Sequence, residues 1–313
     1  MGNSEGLQRA SLLRTVGQEI PRKWDKFWYP STDPFDIGFA RFLFFGWVFY
    51  STLSRNFLIW GDLPEELFYP MPFMRLVNYQ VVSASTLEIF QNVWRVSLIL
   101  GCIGLFTRIS ALVGCILSMY LWTLGFGYSQ EAHGSIPLIF SMFVLAVARS
   151  ADAFSIDSLL FRGRHRSRTA SPEYGWPARV ICCIYVLMFF GSGVTKIVNS
   201  GIGWGLHALT DIFYKFRLTG NPVRARTIDF FLNNFPMPLL GTGALLLELA
   251  APLALFGGLV RVIILLSLVT MQLVINEAMG LDFRPTFALI PFFVPWTNLR
   301  RALSEKARRV WSR

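Results

Sequence analysis

In "FFGSGVTKIVNSGIGWG", residues 189–205, one lysine closes an almost unbroken apolar run that begins near Pro177. Five glycines surround that lysine, Lys196. An amine in such a place has two uses. Its aliphatic stem can reach the nearest interface and leave the ammonium in water. Alternatively, desolvation disfavours the charged form and leaves an amine able to act as a base near neutral pH. Gly191, Ser192 and Gly193 just before it allow a partner helix or a ligand to approach closely. "GSGVTK" lacks the spacing of a phosphate-binding loop and follows no strand, so a nucleotide cradle is excluded. His133, in "SQEAHGSIP", and His207, beyond Lys196, are further candidates for handling protons. Arg41 in "GFARFLF" and Glu248 in "LLLELAAP" sit deep within apolar runs. An ionised group in mid-bilayer costs at least a few kcal/mol, so such residues face the bundle interior and pair. Arg41 and Glu248 therefore form a structural ion pair with each other, or each finds backbone and water.

The elements that must position these groups are membrane helices. Of 313 residues, 53% are hydrophobic and only 15% charged. An ordinary soluble domain carries about 25% charged residues, so this chain lacks the polar groups to cover its own surface. Apolar runs at 36–54, 87–106, 109–127, 135–149, 177–196, 238–257, 259–276 and 283–296 predict about eight transmembrane helices. Backbone in lipid must satisfy itself, and no period-two alternation supports a barrel, so the fold class is an all-α polytopic bundle. With the N-terminus inside, the inner segments hold 19 Lys and Arg and the outer ones nine, which predicts both termini to be cytoplasmic. Three regions follow: a basic amphipathic segment over 1–30, a transmembrane domain over 31–296 and a basic tail over 297–313. The net charge of +10 lies mostly in the tail and in the loop "RGRHRSR", facing an anionic leaflet. Membrane lipid is thus the expected partner of those runs, and nucleic acid is not. The long segments 55–86 and 197–237 read as interfacial helices and lids on the outer face, where "WGLHALTDIFYKF" is amphipathic. Cys102, Cys115, Cys182 and Cys183 lie in apolar runs with no metal spacing, so no metal is expected.

Four stretches resemble a known family, the integral-membrane domain shared with vitamin K-dependent gamma-glutamyl carboxylase, often called the HTTM domain. They are "STDPFDIGFARFLFFG", "AHGSIPLIFSMFVLAVARSADAFSID", "FFGSGVTKIVNSGIGWG" and "LLLELAAPLALF". Together they run from about residue 31 to 296. The resemblance implies a lysine that deprotonates a reduced naphthoquinone, whose reaction with oxygen generates a strong base. That base removes a glutamyl proton, and the carbanion attacks carbon dioxide. Lys196 corresponds to that lysine and His133 to the histidine stabilising the carbanion. Trp204, Gly193 and His207 are then expected around the hydroquinone. The segment after Lys196, "NSGIGWG", and Gln272 depart from the family pattern. The carboxylase continues into a large luminal domain, so a glutamyl acceptor is expected on a separate protein or peptide.

Two other readings stand beside this one. A related quinol-dependent enzyme would act on a lipid or peptide acceptor. A non-catalytic binding or transport module would keep Arg41 and Glu248 as structure; no inverted repeat supports transport.

Overall fold

Local capping starts the helices just ahead of the apolar runs. Asp33 accepts a hydrogen bond from the Phe35 amide at 2.9 Å, with Pro34 at the first helical position of α1 (Pro34–Thr52). A proline there is pre-set for the helix and lacks only an amide that would have no intrahelical partner. Ser83 caps α2 (Ala84–Ile103) in the same way. Ser171 and Pro172 do so for α5 (Pro172–Ser200). The other main helices are α3 (Thr107–Gly127), α4 (Ile136–Val147), α6 (Leu209–Thr219), α7 (Pro222–Asn234), α8 (Met237–Ala250), α9 (Gly258–Met279) and α10 (Trp296–Trp311). The computed structural model describes residues 19, 21–128, 133–161, 169–219 and 222–311. The amphipathic segment expected near the N-terminus and the loop "RGRHRSR" lie outside the described residues. Among the described residues no strand forms, and a single bridge joins Thr32 to Ser171.

All eight apolar runs are helical, but they are not equivalent. Among the described residues, four helices are long and apolar enough to cross a membrane: Thr107–Gly127, Pro172–Ser200, Met237–Phe256 and Gly258–Met279. The third of these joins α8 to a 3-10 turn at Ala251–Phe256. Helices α1 and α2 have similar length but each carries two charged residues, Asp36 and Arg41 in one, Glu88 and Arg95 in the other. The fourth run yields only 12 helical residues. The eighth is a 3-10 helix, Arg284–Phe293, shaped by Pro285 and Pro291. Many apolar side chains of α9 point away from the protein, Leu259 and Leu266 among them at 74% and 63% exposure. A long helix with that much outward apolar surface is suited to lipid.

Chain ends gather at two levels. The proximal end holds the Thr32–Ser171 bridge and the amide of Thr297 on Asp36. The distal end joins Tyr69 to the Gly127 carbonyl and Trp47 to the Arg284 carbonyl. Between them a core around Phe44, Trp94, Leu121, Met142 and Tyr185 unites α1 to α5 and the 284–293 element. The segment 197–237, expected to cover one face, builds a second small core in which its Phe213, Ile228 and Met237 meet Ala278 and Met279 at the end of α9.

Candidate functional site

Two antiparallel helices, α5 and α8, bring Lys196 to Glu248. The Lys196 ammonium donates to Oε1 at 2.5 Å and to Oε2 at 2.7 Å, a bidentate grip on the carboxylate. Helical side chains lean toward their own N-terminus. In an antiparallel pair the two therefore lean toward each other, which lets a lysine meet an acid lying level with the preceding turn. Gly193 is the level at which the helices touch: a Cβ there would sit 3.1 Å from the Glu248 Cβ and 3.2 Å from Leu249 Cδ2. Ser192 places its hydroxyl 3.5 Å from Glu248 Oε1, a long hydrogen bond.

The chain then turns back over the pair. A π-helical turn, Trp204–Ala208, lies against the start of α8. Gly205 and Gly241 make this possible, because a Cβ on Gly241 would fall 2.3 Å from the Gly205 carbonyl oxygen. The turn sets the Trp204 ring 4.3 Å from the Lys196 ammonium, within cation–π range. Glu248 is 5% exposed at its side chain and Lys196 22%. The acid is thus enclosed, while the amine keeps one open flank. An ammonium has three N–H donors; two are spent on Glu248, and the third has no hydrogen-bond acceptor among the described residues.

The ion pair expected between Arg41 and Glu248 does not form. Arg41 leans toward the proximal end and is fully buried there. It donates to the carbonyls of Ser150 at 3.2 Å and Phe154 at 2.6 Å, and to the Thr107 hydroxyl at 3.5 Å. Thr107 passes its own hydroxyl hydrogen to Asp157 at 2.8 Å, and Asp157 also accepts from the amides of Phe106 and Thr107. Of the two arrangements open to Arg41, separate pairing with backbone is the one found. Glu248, deprived of Arg41 because α8 packs on α5 rather than beside that junction, takes Lys196 instead.

The remaining expected site residues divide. Trp204 joins the pair, as just described. Gly193 works as the contact between helices, where Glu248 and Leu249 fill the space that a ligand would need. His207 is exposed on the π-helical turn. His133 opens the 3-10 turn His133–Ser135, and its side chain lies outside the described residues. Two polar residues near the end of α9 part company: Gln272 is buried and donates to Thr286 at 3.1 Å, whereas Asp282 faces the distal loops. There it binds Arg284 at 2.8 Å and lies 3.9 Å from Arg55. Burial alone would raise the Asp282 carboxyl, but the hydrogen bonds and charge of Arg284, with Arg55 behind it, hold it below the ordinary carboxylate range.

Sequence reasoning named both Lys196 and Glu248 yet missed their union. The usable signal was Gly193, three residues before Lys196 on the same helical face. A small residue there marks where a neighbouring helix comes close enough for a short ionic contact.

Fold and site together define an all-helical membrane protein with a lysine–glutamate pair shielded between two of its long helices. Compared with known proteins, the chain matches no family model, no curated protein and no solved structure.

Proposed function

We propose that this chain is a membrane enzyme of the vitamin K-dependent carboxylase type, an HTTM-domain protein that uses Lys196 and Glu248 as a coupled base. It spans the membrane with about eight helices and both termini in the cytoplasm, so that Lys196 works near the outer face. The observation that carries the reading is the bidentate Lys196–Glu248 contact beneath Trp204, with one ammonium hydrogen left over.

The residues present fit an aromatic acid. The Trp204 ring offers a stacking face, the spare N–H of Lys196 offers a donor to an oxygen, and apolar helices exclude water. A reduced naphthoquinone held there would supply a phenolic proton and the electrons that reduce oxygen, with oxygen and carbon dioxide as cosubstrates. The pair itself explains how a lysine can serve a base. As an ion pair it is neutral overall and holds one dissociable proton. Glu248 can take up a second proton while Lys196 keeps its ammonium, so a new anion finds a cation waiting. In surroundings of low dielectric that arrangement is worth far more than in water. Trp204 attracts the same cation and holds it in place. His133 is assigned to the carbanion of a glutamyl acceptor carried by a separate protein or peptide, and His207 to the rim of the site.

The test is oxygen uptake and quinone-epoxide formation by the purified protein in lipid with reduced naphthoquinone. Epoxide is expected from the wild type and at least a hundredfold less from Lys196→Ala, the scale on which general acid–base groups act. Equal background oxidation in both proteins sinks the reading. One observation favours a second reading, a non-catalytic module. Both carboxylate oxygens already face Lys196, as a clamp between helices requires, and a clamp gives no epoxide in any variant.

A further inference from the structure

At the proximal end, away from Lys196, a cleft of about 450 Å³ opens between residues 30–36, the first turns of α5 and α9, the 284–293 element and the start of α10. Three helices each send an arginine to its wall: Arg179 from α5, Arg261 from α9 and Arg301 from α10. Two of them are held in place by backbone. Arg261 donates to Ala254 and Phe293 carbonyls, both at 3.0 Å, and to Leu255 at 3.5 Å. Arg179 donates to Leu255 at 3.2 Å and lies 4.6 Å from the Phe27 ring. Neutral carbonyls orient these guanidinium groups without cancelling their charge.

Two carboxylates share the cleft, and both are committed elsewhere. Asp33 caps α1, and Asp36 accepts the Thr297 amide at 2.5 Å. Among the described residues, none of the three arginines makes an ion pair. Three cations line one hollow, two of them held in place by carbonyls, and neither carboxylate of the cleft pairs with any of the three, so together they suit an anion from outside. Arginine forks suit phosphate oxygens in particular.

The level of the cleft points to the source. Helix α5 has 29 residues, about 44 Å at 1.5 Å per residue, against a hydrocarbon core of about 30 Å. Its apolar run begins only at Pro177, two residues before Arg179. Arg261 lies in the first turn of α9. Both guanidinium groups therefore stand where apolar helix gives way to polar surroundings, which is where lipid phosphates lie. Basic pockets between helix ends at that level suit anionic headgroups. The basic helix α10 leaves from the same rim, with Arg300, Arg301, Lys306 and Arg308 along it. We propose that this cleft binds a phosphate-bearing anion, supplied by the headgroup of an anionic phospholipid.

The test is a thermal-shift titration of the purified full chain in neutral detergent. Dioctanoyl phosphatidylglycerol, dioctanoyl phosphatidylcholine and inorganic phosphate are the three probes. A saturable rise in melting temperature with phosphatidylglycerol and none with phosphatidylcholine is expected. Arg301→Gln, at an exposed position, should weaken the apparent affinity about fivefold, since one interfacial cation contributes about that much. Arg179→Gln should weaken it similarly, and Lys306→Gln, outside the cleft, should leave it unchanged. A response to inorganic phosphate but not to phosphatidylglycerol would keep the anion site and overturn the headgroup as its source. Equal stabilisation by the two lipids, or equal losses in Lys306→Gln and Arg301→Gln, would overturn the site and leave only general surface charge.

Discussion

Two cations set within the bundle, Arg41 buried and Lys196 half-buried, are treated in opposite ways. Arg41, at the proximal junction, is fully enclosed, and its two terminal nitrogens are held mainly by carbonyls of Ser150 and Phe154, with Thr107 linking it to Asp157. Lys196, between α5 and α8, has one carboxylate, one ring and one open flank. The first arrangement spreads a charge over fixed dipoles and ties three chain segments together. The second sets two titratable side chains in direct contact. The backbone around Arg41 is shaped to serve it: Phe154 takes a φ of 51°, and Gly104 a φ of 72° where any Cβ would fall 2.5 Å from Arg41 Nη1. Side chains rarely adopt that left-handed conformation. The Lys196 region shows instead small residues at helix crossings, which bring side chains together. A buried charge held by main chain is architecture, whereas one held by another side chain can do chemistry.

The sharpest way to break this contrast is to remove Arg41. Arg41→Met strands the carbonyls of Ser150 and Phe154 in a buried place, and a loss of about 3 kcal/mol is expected. No second substitution can relieve it, because the acceptors are main chain. Melting in detergent within about 1 kcal/mol of wild type would show that the junction does not depend on the arginine.

Lys196→Met comes next, with about 3 kcal/mol lost because Glu248 is left enclosed without its cation. Here a rescue is expected: Lys196→Met with Glu248→Leu should return to within about 1 kcal/mol of wild type while making no epoxide. If the double variant is as unstable as the single one, the two side chains are not energetically coupled.

Trp204→Leu should cost about 1 kcal/mol through the lost cation–π contact. In a Lys196→Met background the same substitution should cost clearly less, and a double-mutant cycle measures the difference. Additivity would mean that the ring packs beside the lysine without sensing its charge.

The smallest effect belongs to a reference pair near the surface. Asp282 has a lowered folded value, so its contribution is fully present above the unfolded carboxylate value of about 3.9. It fades as pH falls from there through the folded value. Melting curves taken below pH 5 should therefore converge for wild type and Asp282→Asn as acid is added. A gap that stays constant down to the most acid point would remove the electrostatic account of that cluster.

How far the sequence could be read depends on the kind of contact. The apolar runs placed the starts of α1 and α5 at 36 and 177, two and five residues late, because the caps at Asp33-Pro34 and Ser171-Pro172 begin each helix before its apolar stretch. The apolar run at 283–296 was legible as helical but not as 3-10, since Pro285 and Pro291 take effect through packing as well as through missing amides. Trp204 entered by resemblance alone. Its place over Lys196 rests on Gly205 meeting Gly241, a contact between residues 36 apart in the chain.

Composition and apolar run length alone determined that this is a helical membrane protein. They also showed which few ionisable residues the bundle has to shelter, because exclusion of charge from lipid acts on each segment by itself. Which cation meets Glu248 was a tertiary decision. It depends on which helices are neighbours, how each is rotated and whether they run antiparallel, and none of these is encoded in the period of one helix. Arg41 and Lys196 were equal candidates by charge; the packing of α8 on α5 at Gly193 chose the lysine.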